Sequence, residues 1–123
     1  MPRISITAGE VTMSADLNES ETAALIAAAL PIQATVNRWG DEIYFEIPVS
    51  AAAQVDARQD VQIGDLAYWP PGKALCLFFG PTPVSQSSQP RAASPVNVVG
   101  KLLGDPSPLR DVRDGDPVMV TAG

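Results

Sequence analysis

The sequence predicts a mainly β fold in a single domain, and three observations carry that reading. Twelve Pro and nine Gly among 123 residues call for many short elements with sharp corners. That suits a β-barrel or sandwich and not a helical bundle. About eight short stretches have strand character, most of them alternating apolar and polar residues, against one stretch of strong helix formers. Finally, Ala74 to Phe79 is an unbroken apolar run ended by Gly80. It is too short for a free-standing helix and reads as a strand buried on both faces. Both faces can be buried only if something covers each, so this strand belongs at the centre of the fold.

The elements follow in order. Arg3 to Thr7 sets Ile4 and Ile6 against Ser5 and Thr7, and turns at Ala8-Gly9-Glu10 into Val11-Thr12-Met13, which predicts a hairpin. The one helix spans Ala23 to Leu30, with Asn18 as cap, Glu21 completing a capping box and Pro31 ending it. Leu25, Ile26, Ala29 and Leu30 form its apolar stripe. Ile32 to Trp39 and Glu42 to Ile47 make a second hairpin around Gly40-Asp41. Ile43, Phe45 and Ile47 face in, while Glu42, Tyr44 and Glu46 face out to solvent. Val49 to Asp60 holds either a short helix or a loop. Leu66 to Trp69 is a strand, and Pro71-Gly72 predicts a type II turn with positive φ at Gly72. Residues 81–95, rich in Ser, Thr and Pro, read as a long surface loop. Val96 to Leu103 is a strand with a bulge or close approach at Gly100. A short helical turn from Ser107 and a last strand at Val118 to Val120 complete the chain. Ile4, Ile43, Phe45, Leu75, Leu77, Val98 and Val120 are the expected core.

Composition excludes several function classes. The net charge is −6, with the eight Lys and Arg scattered singly, so the sequence predicts no nucleic-acid partner. One Cys precludes an internal disulfide and fits a reducing compartment. MPRISITAGE lacks the apolar core of a signal peptide. The apolar stretch Ala23 to Ile32 is too short to span a bilayer. Together these predict a cytoplasmic protein with no membrane partner.

The chain has no His. That removes Ser-His and Cys-His nucleophile pairs and most transition-metal ligand sets, so neither a metal nor another cofactor is expected. Asp111, Asp114 and Asp116 read as a solvated turn and Cys76 as a small buried hydrophobe. Glu42 and Glu46 read as part of a polar outer face. The aromatic residues Trp39, Tyr44 and Trp69 stand at strand ends, where large rings either line a cleft or plug the core.

At these residues a resemblance enters. TVNRWGDEIYF with GDLAYWPPGKALCLFFGPTP, and then VNVVGKLLGDPSPLRDV, resembles a family of small bacterial and archaeal proteins with a cyclophilin-like fold. The likeness runs over almost the whole chain. It implies a closed eight-stranded β-barrel capped by helices, distantly related to the cyclophilin prolyl isomerases. It also implies that Asn97 stands where cyclophilins place a pocket His, and that Leu77 or Phe78 supplies the aromatic-strand position. Arg38, or more loosely Arg91, would have to serve as the donor near the twisting bond.

Two functions are therefore expected. The first is a binding or interaction domain whose groove is formed by Trp39, Tyr44, Trp69, Lys73 and Asn97. Strands splayed by the type II turn would open that groove, and Asn97 would lie at its floor. With Lys73 as the charge within reach in sequence, the ligand would be a small neutral or peptide-like molecule. The second is a weak or specialised peptidyl-prolyl isomerase using Arg38. An enzyme of another kind has no residue constellation in the sequence to support it.

Overall fold

The computed structural model describes residues 2–123. Its strands are β1 (Arg3–Ala8), β2 (Val11–Leu17), β3 (Ile32–Thr35), β4 (Asn37–Arg38), β5 (Glu42–Glu46), β6 (Arg58–Asp60), β7 (Asp65–Trp69), β8 (Ala74–Phe78), β9 (Arg91–Leu102) and β10 (Pro117–Ala122). One helix, α1 (Glu21–Ala29), and two 3-10 turns, Pro70–Gly72 and Ser107–Asp111, interrupt them. No described helix is long and apolar enough to cross a membrane.

All the pairings are antiparallel, in the order β3-β10-β1-β2-β9-β7-β8-β5-β4, with β6 paired to β9 off this path. Among the described residues the expected eight strands are thus ten. The end strands β3 and β4 share no hydrogen-bonded ladder among the described residues, so hydrogen bonding does not close the sheet as expected. Yet β3 and β4 are separated in sequence by Val36 alone. The sheet curls until its two ends are joined by chain, not by a ladder.

The curled sheet has a large inner core and a smaller outer one. Ile43 and Phe45 of β5, Leu75 and Leu77 of β8, Leu66 and Tyr68 of β7 and Val99 of β9 point inward with Ile4, Ile6 and Val120. The opposite faces of the same strands carry Ala67, Cys76, Phe78 and Val96, with Val61 and Ala92, into the outer cluster. This double burial of Ala74–Phe78 is what its unbroken apolar run predicts. Val98 is half-buried, because the strand's alternation sends Val99 to the inner core. A bulge explains the shift: Leu66 pairs with Gly100 but Ala67 with Val98, leaving Val99 as the extra residue.

The helix starts earlier than its composition suggests. Ser20, in extended conformation, caps it by accepting the Ala23 N–H at 3.2 Å. Asn18 stands behind the cap. Its Oδ1 accepts from the Ser20 N–H and hydroxyl, and its Nδ2 donates to the Val98 carbonyl at 2.8 Å. This start turns Thr22, Ala23 and Ile26 inward and leaves Leu25 47% exposed, so the predicted stripe is off by part of a turn.

The turn after Trp69 also differs. Pro70–Gly72 forms a 3-10 turn, and Lys73, at φ 49°, takes the left-handed conformation expected of Gly72. β7 and β8 stay paired out to Trp69 and Ala74, so they do not splay. Gly72 is required for another reason: a Cβ there would lie 2.6 Å from the Trp69 ring.

Candidate functional site

A hollow of about 220 Å³ opens on the outer face of the sheet. Its base is set by strand alternation. Glu42 and Tyr44 share the outer face of β5, and across the ladder Cys76 on β8 pairs with Tyr44. Trp69, the last residue of β7, continues the row. Trp39 enters from the hairpin loop, where its N–H and C=O bond to Glu42 at 2.9 and 3.2 Å across Gly40-Asp41. Gly40 supplies the φ of 61° that this two-residue loop needs.

The far wall comes from β9. Beyond the Tyr68–Asn97 pair, β9 leaves β7 and continues toward its start beside β6, with Val96 opposite Arg58. Ala92, Ala93 and Val96 of this departing segment close the cleft with small side chains. The cleft therefore arises where β9 lifts off the sheet, not where a hairpin opens.

Its aromatic walls are held in place. Trp69 donates its indole N–H to Ser94 Oγ at 2.7 Å and lies against Gly72. Tyr44 meets it edge to face, with ring centroids 6.3 Å apart and planes at 71°. All three rings are half-buried, so each is fixed yet presents surface to the cleft.

Glu42 is the unexpected member. It is 5% exposed, not solvated on an outer face, because the cover over β8 extends over β5. Burial pushes its carboxyl up to about 7, with the Cys76 thiol opposing the shift in part. Cys76 is buried and its thiol is pushed well above the usual range, by desolvation first and then by Glu42. It is a neutral thiol with little nucleophilic character at neutral pH.

Sequence alone thus singled out Trp39, Tyr44 and Trp69, and the structure brings all three together. Lys73 lies elsewhere, on a shallow depression beside Ser50, Ala51 and Pro70. Asn97 points away from the cleft, fully buried. Its Nδ2 donates to Thr22 Oγ1 and the Ala52 carbonyl at 3.1 and 3.0 Å, and its Oδ1 accepts the Gln54 N–H at 2.8 Å. It ties α1, the 49–57 segment and β9 together. Val96 and Val98 take the outer face, so alternation forces Asn97 to the inner one.

The sequence matches the family described as Cyclophilin-like over residues 2–121. The chain belongs to the cyclophilin-like family. It is similar to the solution structure of a hypothetical protein from Archaeoglobus fulgidus, at 43% identity and a TM-score of 0.85. The match covers 99% of this chain and 95% of that one. No curated protein matches.

Within this cyclophilin-like domain Arg38 is a structural clamp. Its Nε donates to the Gly40 carbonyl at 2.6 Å, and its NH1 to the carbonyls of Arg110 and Val112 at 3.0 and 2.9 Å. Its NH2 reaches Asp41 at 3.2 Å, and the guanidinium lies 5.0 Å from the centre of the Phe79 ring. Of five donors, four are engaged by the protein itself. Arg91 lies near Asp60 and Gln59 beside β6.

Proposed function

We propose that the protein is a binding domain whose outer cleft takes one compact group of a small molecule or of a peptide-like partner. The observation that carries this reading is the convergence of Trp39 and Tyr44, from the β4–β5 hairpin, with Trp69, from the end of β7, on one hollow. Rigid rings give contact area at little entropic cost, and Ser94 and Gly72 pre-set the largest of them. The volume of about 220 Å³ lies below the roughly 300–1,000 Å³ of drug-sized sites. It suits a head group or one side chain, not a whole nucleotide.

The ligand's charge follows from the lining. Lys73 is off the cleft, and Glu42 is the only formally charged side chain among the lining residues. An anionic group would meet repulsion with no compensating cation, whereas a neutral or positive one would not. Prolyl isomerisation draws no support from Arg38, whose donors are engaged by structural partners, nor from Asn97, which faces the inner core.

A fragment screen followed by nitrogen-15 NMR tests the proposal through the indole N–H signals of Trp39 and Trp69. Binding fragments should shift both signals, and Ala93→Trp, which fills the cleft from its exposed rim, should abolish the shifts. A screen whose hits perturb other surfaces, or are indifferent to Ala93→Trp, would overturn it.

A further inference from the structure

We propose, building on the binding reading above, that the group the cleft takes is an alkylated ammonium, held against Trp39, Tyr44 and Trp69 with Glu42 as its counter-ion. Two independent observations converge. The first is the geometry of the rings: two indoles and a phenol around one small hollow, with Tyr44 edge-on to Trp69. Indole and phenol faces carry negative potential, and a cation enclosed by several of them is attracted by each. The Trp69 N–H is occupied by Ser94, so that indole has no donor left for a ligand. What it can offer the cleft is carbon surface.

The second observation is Glu42. The residue is 5% exposed and lines the cleft, and no Lys or Arg lines the cleft with it. Its ladder partner is Phe78 on β8, and the cleft is otherwise lined by Cys76 from β8, Trp69 from β7, Trp39 from the β4–β5 loop, Tyr44 on its own strand, and Ala92, Ala93 and Val96 from β9. None of these is an acidic or basic residue. Buried carboxylates are ordinarily paired, and an unpaired one protonates instead. Burial raises the protonation of Glu42, and the Cys76 thiol opposes the shift only in part.

A bare ammonium would lose strong hydration in an apolar hollow, and a guanidinium would leave most of its N–H donors without acceptors there. An alkylated ammonium is weakly hydrated and presents methyl groups to the rings, so the same cleft desolvates it at lower cost. The net charge of −6 adds a long-range field of the matching sign.

The probes are choline and its uncharged isostere 3,3-dimethylbutan-1-ol, titrated into the intact protein while the Trp39 and Trp69 indole signals are followed. Choline should bind about tenfold or more tightly than the isostere. Its affinity should rise between pH 6 and pH 8, as Glu42 ionises. Glu42→Gln should bring the two probes to within about threefold of each other, in keeping with the loss of one charge. A short peptide bearing trimethyl-lysine separates the sources. Binding well above that of choline indicates a protein side chain, and equal binding indicates a free small molecule. Equal affinity of choline and the isostere for the wild-type protein would overturn the cation proposal while leaving the cleft as a binding site. Silence of both probes would also overturn it, and a blank fragment screen would then remove the binding reading separately. The wild-type comparison stands even if Glu42→Gln folds poorly.

Discussion

Glu42 and Cys76 lie diagonally across the β5–β8 ladder. Glu42 pairs with Phe78 and Tyr44 with Cys76, so carboxyl and thiol share the outer face one step apart. The pair has a measurable consequence for stability. In the folded protein Glu42 titrates near 7 instead of its ordinary 4.5. Between those values the native state holds a proton that the unfolded chain has released. Stability contributed by this group is therefore lost as pH rises from about 4.5 to about 7 and is constant above. The full effect is about 3 kcal/mol. In urea denaturation at several pH values, Glu42→Gln should become progressively more stable relative to wild type across that window. A difference independent of pH would contradict the burial of an unpaired acid.

Asn97 is a packing tie, and its removal should cost stability. Asn97→Ala strands the Gln54 N–H and takes a donor from Thr22 and from the Ala52 carbonyl. Leaving such groups unsatisfied costs about 3 kcal/mol in all. The urea midpoint should fall with an unchanged slope. Cleft binding should be retained in the folded fraction, which separates a structural Asn97 from a ligand-contacting one.

Two glycines should respond in opposite ways. At Gly72 an added Cβ meets the Trp69 ring, which can move only by giving up its hydrogen bond to Ser94 and its contact with Tyr44. Gly72→Ala should cost about 1 kcal/mol, the worth of that hydrogen bond, and it should move the Trp69 indole signal and weaken cleft binding. At Gly100 the added Cβ meets the Asp16 carbonyl, backbone held in the β2–β9 ladder. Gly100→Ala should cost about 3 kcal/mol. Thermal melts with fluorescence read both outcomes, and a large loss at Gly72 would show that Trp69 is not free to yield.

Arg38→Ala removes four hydrogen bonds, two within the β4–β5 loop and two that fasten it to the Arg110–Val112 segment. It should destabilise by about 2 kcal/mol, since the site is partly solvated. Any prolyl isomerisation seen in a peptide assay should be unaffected in the folded fraction. A selective loss of such activity would return Arg38 to a catalytic role.

The fold was legible because alternation is a local signal. Ile43 and Phe45, Leu75 and Leu77 are buried as their spacing predicts. What escaped was tertiary. The count of strands and the junction at Val36 depend on how the sheet curls, which no short window encodes. Glu42 escaped although the argument for it was within reach. A strand apolar on both faces needs a cover on its outer side, and the neighbouring strand's outer residues then lie under the same cover. Glu42 and Tyr44 sit there, beside Cys76. The inward turn of Asn97 escaped because the bulge at Val99, set by pairing with Leu66 and Ala67, is invisible in β9 alone. The left-handed corner falls on Lys73 and not on Gly72, whose missing Cβ is needed for its contact with Trp69, and no local signal separates these two roles.

Acrylamide quenching of Trp69 in a Trp39→Phe background decides whether this indole walls an open cleft. The half-buried indole should be quenched by acrylamide in the free protein, with emission between that of a buried and a solvated Trp. A fragment that shifts the Trp69 signal should protect it. A blue-shifted Trp69 that resists the quencher before any ligand is added would mean that the indole plugs the hollow and that no open cleft exists.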